Sequence, residues 1–291
     1  MYDARKYSGG GSLKDGMAFG LFVMLAALVS FLLAYNAPEM FGDSGDQSAK
    51  ILEANTKGRL ALPDIDTKRL DAALKAYDAD LHSTTTAKLA SMTDVSIEAM
   101  GETIVTEIGL AVATDQESFA RMPIRHLNEV ITLSRDRLRR AVSRRNPWCA
   151  GSAYKDIMGA GTQAELTLVS DRMSRDMAGA NAALAQYFAD VGAIFLEGAV
   201  AARRSPTQLG PVTEQDEAAL QGMVMSLVTD EQLIPVMVAA QQGDVDETLD
   251  KLNVCSLGVT VVTAVRTLPE ETKGRVWSGM MLGEFNPSTI N

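Results

Sequence analysis

This chain is short of aromatic residues, histidine, cysteine and proline: Phe, Tyr and Trp make up 5% of its 291 residues, with two histidines, two cysteines and nine prolines. The low aromatic content argues against a β-sandwich or barrel, whose strands favour aromatic and β-branched side chains. No run of strict alternation reads as a strand. The 46% hydrophobic content comes mostly from Ala, Leu, Val and Met, which favour helices. His82 and His126 stand far apart, and neither has an HExxH pattern or a Cys/His partner at ligand spacing, so neither a metal site nor a cofactor is expected. So few histidines leave little basis for a Ser-His-Asp or Cys-His hydrolase. Positive charge is in deficit as well, 27 Lys and Arg against 37 Asp and Glu, which excludes nucleic acid as a partner because that binding relies on cationic contacts to phosphate.

What the chain does have is one long apolar run. Met17 to Tyr35 is nineteen consecutive residues without a charge, enough at about 1.5 Å per residue to cover most of a hydrocarbon core of about 30 Å. The run is longer than a signal-peptide core, and Tyr35 would stand at minus three for cleavage after Ala37, so an uncleaved anchor is expected. Arg5, Lys6 and Lys14 precede the run, whereas Glu39, Asp43 and Asp46 follow it with no cation before Lys50. The positive-inside rule then keeps the N-terminus cytoplasmic. The expected location is a bacterial inner membrane, crossed once, with the larger part in the periplasm. Gly16 and Gly20 form a GxxxG pair, and Gly20, Ala27 and Ala34 repeat every seven residues, a small-residue surface suited to packing against a membrane-protein partner or a second copy.

The expected fold is all-α: a single transmembrane helix and an exported multi-helix domain. Residues 1–15 read as a cytoplasmic tail, 16–36 as the membrane helix, 37–65 as a juxtamembrane linker with a short helix near Ser48 to Lys57, and 66–291 as the exported domain. Leu70, Leu74, Tyr77 and Leu81 mark the first amphipathic helix. Ile97, Ile104, Ile108 and Val112 mark a second, from Asp94 to Ala113. A third opens at Pro123, buries Leu127, Ile131, Leu138 and Val142, and ends at Asn146-Pro147. Gln163 to Arg204 reads as helical, with Gly179 and Gly192 dividing it. Thr213 and Asp230 are expected caps, Gln241 to Asp244 a turn, Asp246 to Thr267 a helix, and Glu270 to about Leu282 the last helix. Val112 to Glu117 resembles Val228 to Gln232, which two ordinary Thr/Asp helix starts explain.

Cys149 follows a turn and Cys255 lies on the apolar stripe Leu249, Leu252, Cys255, Val259, Val262. An exported compartment favours a disulfide between them. The most distinctive polar feature is cationic: Arg135, Arg137, Arg139, Arg140, Arg144 and Arg145 fall within eleven residues of an acidic protein. Guanidinium forks bind carboxylate and phosphate, so the patch fits an acidic protein or lipid phosphates. The bland reading is a solvated helix end whose cations complement the helix dipole and pair with the chain's own carboxylates.

Glu117-Ser118 resembles the pair that opens the catalytic signature of lytic transglycosylases, helical exported enzymes that cleave peptidoglycan. The resemblance covers two residues, no Gly-Leu-Met-Gln-like segment follows, and Thr114 with Glu117 forms a capping-box pattern, so no catalytic role is carried over. Glu197 lies in an apolar run, but Gln186, Asp190, Glu197 and Arg204 describe a polar helix edge. The expected function is therefore binding: a membrane-anchored accessory, scaffold or stabilising component of an envelope or membrane-protein assembly. The alternatives are an enzyme acting on cell-wall glycan through one carboxylate and a periplasmic sensor.

Overall fold

The structure, a computed structural model, describes residues 45–145, 149–154, 181–229, 231, 234 and 251–285. These residues form α1 (Gly45–Thr56), α2 (Lys68–Tyr77), α3 (Ala79–Ala90), α4 (Ile97–Thr114), α5 (Gln116–Ala120), α6 (Ile124–Ser143), α7 (Asn181–Arg204), α8 (Glu214–Val228), α9 (Val254–Thr267) and α10 (Glu270–Leu282). The fold is all-α. Among the described residues there is no strand, only an isolated antiparallel bridge between Ala150 and Asn253. No described helix is long and apolar enough to cross a membrane. The apolar run Met17–Tyr35 lies outside the described residues, as do Asn146-Pro147, Gln163 to Gly179, Asp230 and the Gln241 to Asp244 turn.

Local chemistry accounts for most helix ends. The helix expected to run through Leu81 is two helices, because Asp78 adopts an extended conformation (φ −158°, ψ 113°) and its carboxylate accepts the Asp80 and Leu81 N–H groups. One residue ends α2 and caps α3. Ser96 caps α4, Asn253 caps α9, and Thr213 with Asp216 forms a full capping box on α8. Pro269 precedes α10, and Gly283 ends it at φ 70°, where a side chain would be strained. The capping box expected at Thr114 and Glu117 does not form. Thr114 Oγ1 instead donates back to the Leu110 and Ala111 carbonyls, since Thr114 is still inside α4.

The core is built around α7, which packs against α2, α4, α5 and α6. Its buried positions Ala189, Ala193, Leu196 and Ala199 are mostly small and meet larger groups: Leu70, Leu74 and Tyr77 of α2, Met100 and Ile104 of α4, and Phe119 of α5. Gly192 does not divide this helix. It lies in mid-helix where a Cβ would come within 2.7 Å of Ile108 Cδ1, so the glycine serves close approach between α7 and α4. The segment expected to be a spacer up to residue 65 joins the same core from Ile51 of α1 onward. Ile51, Leu60 and Leu62 are buried, and Asn55 clamps the turn through its bonds with Ala61 O and N (2.9 and 3.0 Å). The buried face of α6 is also more polar than its leucine and valine spacing implies: His126, Val130, Ile131, Ser134 and Ala141 are buried, whereas Leu127, Leu138 and Val142 are only partly so.

The later helices complete the body, with α9 packing on α6 and α8, and α10 packing on α5, α6 and α8. Trp277 of α10 stacks on Phe195 of α7 (centroids 5.5 Å) and donates its indole N–H to Phe119 O at 2.8 Å.

Candidate binding surfaces

Cys149 and Cys255 are joined by a disulfide, with Cα atoms 5.0 Å apart across a sequence separation of 106. Both are buried beside Ala141, with Leu138 and Val142 packed against them. The Gly151 N–H donates to Leu252 O at 2.8 Å beside the bridge, so backbone and sulfur together hold the chain after α6 to the start of α9. Closing so long a loop stabilises the fold by about 4 to 5 kcal/mol in the chain-entropy account.

That anchored end of α6 carries the arginines. Arg135 is largely covered and is committed to Asp136 through Nε and Nη2, at 2.9 and 2.7 Å. Arg137 is partly buried. Burial, followed by the like charges of Arg140 and Arg144, pushes its guanidinium below the usual arginine range. Arg139, Arg140, Arg144 and Arg145 are exposed, and among the described residues none has a carboxylate within ion-pair distance. Arg145 sits at φ 51°, the left-handed position after a helix that glycine usually takes. A non-glycine residue there costs about 1 to 2 kcal/mol.

The candidate carboxylates are engaged. Glu197 of α7 gives both oxygens to Arg69 of α2 (2.9 and 2.7 Å), whose third nitrogen reaches Glu129 of α6 at 2.8 Å. This ion-pair node joins three helices, and its sequence separations of 60 and 128 residues hid it from a reading based on local spacing. Gln186, on the same edge of α7, brackets Asp66, accepting its N–H and donating to its carbonyl. Glu117 is exposed and pairs with Arg121 one turn along at 3.0 Å. A further pair absent from the sequence reading is Asp216 with Arg275, joining α8 to α10.

Both histidines are packed inside. His82 Nε2 lies 2.8 Å from Asp71 Oδ1. His126 has a buried Nδ1 without a hydrogen-bond partner among the described residues, and burial, followed by Arg125, lowers its pKa. Among the described residues no group of three or more His, Cys, Asp or Glu is placed to hold a metal ion. The small-residue positions Gly16, Gly20, Ala27 and Ala34 lie outside the described residues. Comparison with protein-family models, with curated proteins and with solved structures finds no match to this chain.

Proposed function

We propose that this protein is a membrane-anchored accessory, scaffold or stabilising component of an envelope or membrane-protein assembly, and that it works by binding. In this reading Met17–Tyr35 is a permanent single-pass anchor in a bacterial inner membrane, the N-terminus is cytoplasmic and the helical body is periplasmic. Gly16, Gly20, Ala27 and Ala34 pack against a membrane-protein partner or a second copy.

The observation that carries the reading is the disulfide between two buried cysteines, a bond that persists in oxidising compartments and is rare in the cytosol. It agrees in direction with the charge asymmetry about the apolar run. Action by binding is supported by the engaged state of Glu197 and by the exposed arginines at the end of α6. Crosslinking in cells, followed by purification of the full chain in mild detergent and mass spectrometry, tests the proposal. A defined larger species carrying a membrane protein or a second copy is expected. Monomer alone, with and without crosslinker, overturns it.

A further inference from the structure

The exposed arginines at the end of α6 are not explained from within the described body. A helix C-terminus carries about half an elementary negative charge, against four exposed guanidiniums at Arg139, Arg140, Arg144 and Arg145. Pairing with the chain's own carboxylates stops at Arg135 among the described residues. Like charges crowd Arg137, and Arg145 occupies a backbone position that disfavours any side chain. Among the described residues no carboxylate offsets that repulsion, and an anion docked from outside would do so.

Chain length favours one source of that anion. Nine residues, 36–44, separate the apolar run from the first described helix, and fully extended they reach no more than about 32 Å. A body of this size has a radius of gyration of about 17 Å, so it is about 40 Å across. The tether therefore holds the start of α1 within about 32 Å of the headgroups, so a face of the body can reach them. The chain as a whole carries a net charge of −10, so an anionic bilayer repels it overall, and the end of α6 is the densest run of cations in the sequence. Arg139, Arg140, Arg144 and Arg145 are all exposed at the end of α6 and just beyond it, which suits a plane of mobile phosphates that each guanidinium meets independently.

We infer that the end of α6, from Arg137 to Arg145, docks on the phosphate headgroups of anionic lipids in the membrane that tethers the chain, and so sets which face of the body is turned outward. The inference rests on the membrane tether proposed above and goes beyond it in naming a surface and its ligand.

The test uses the full chain in nanodiscs, with a fluorescent unnatural amino acid at the exposed Ser143 and a headgroup quencher on a trace lipid. One set of discs is phosphatidylcholine; the other contains one third phosphatidylglycerol. Severalfold stronger quenching is expected in the anionic discs, reversed by high salt, with about a fivefold loss of the docked population for each arginine replaced. R139Q/R140Q/R144Q/R145Q should abolish the difference, and the four lysine substitutions should restore it, which separates loss of charge from loss of fold. Equal quenching in both discs overturns the inference while leaving the tether intact. Quenching that changes only when polyglutamate is added overturns it in favour of an acidic protein. Failure of the chain to resist alkaline carbonate extraction overturns the tether, and the inference with it.

Discussion

Arg275 of α10 grips Asp216 of α8 through two parallel bonds, Nε to Oδ2 at 2.6 Å and Nη2 to Oδ1 at 2.9 Å. Thr213 donates its N–H and hydroxyl to Oδ2, and Thr272 donates its hydroxyl to Oδ1 at 2.6 Å, so the carboxylate is surrounded by donors and has no exposed surface. Removing one partner of such a pair leaves the other desolvated. Arg275→Met should destabilise the protein by about 3 kcal/mol, and adding Asp216→Asn should recover part of the loss. Urea denaturation of the single and double variants measures both. Additive effects would show that the pair is not coupled.

The same carboxylate sets an acid limit. Arg275, then the Thr272 and Thr213 donors, outweigh burial and hold the Asp216 pKa well below the usual carboxylate range. The group contributes its full stability above its unfolded pKa of about 4, and that contribution declines as pH falls from there through the folded value. The urea midpoint of the native protein should fall between pH 5 and pH 2.5 more steeply than that of Asp216→Asn. Parallel curves would assign the acid sensitivity to other groups.

His126 acts nearer neutrality. Burial and the neighbouring Arg125 disfavour its charged form, outweighing the nearby Pro123 backbone, Glu197 and Glu129, so the folded pKa lies below that of the unfolded chain. Its contribution is complete above an unfolded pKa of about 6.5 and shrinks as pH falls through the lower folded value. Replacement by Gln should flatten the change in unfolding midpoint between pH 7 and pH 5. An unchanged slope would refute this role for the imidazole.

Two glycines in α4 offer an opposite test. A Cβ at Gly101 or Gly109 would meet no atom within 4 Å, and both residues are inside the helix. Alanine at either position should raise stability by about 0.5 to 1 kcal/mol, because glycine surrenders more backbone freedom on folding. Thermal melts of Gly101→Ala and Gly109→Ala provide the measurement. A loss of stability at both would mean that this face of α4 is covered in the intact protein.

Helix class and several boundaries were legible because their causes are local. Pro269, two acidic residues in the first turn and Gly283 after the last define α10 within a few adjacent positions, and Thr213 carries its own capping signal. What escaped depends on contacts distant in sequence. Ile51, Leu60 and Leu62 look like isolated apolar residues in a Gly/Pro-interrupted stretch until α2 and α3 supply the surface that buries them. Ser134 is polar by sequence and buried by structure, because Tyr187 of α7 brings a hydroxyl to 2.7 Å. Arg69 has no local carboxylate that would single it out as the link between α6 and α7. The arginine cluster was visible as composition, but only the placement of its neighbours separates Arg135, which is satisfied, from the four that are exposed.

The sulfur bridge also changes how the chain comes apart. A protease that cuts once anywhere between Cys149 and Cys255 makes two polypeptides that remain one molecule, sharing a single band until a reductant frees them. Nicking in that interval therefore does not by itself release the final helices.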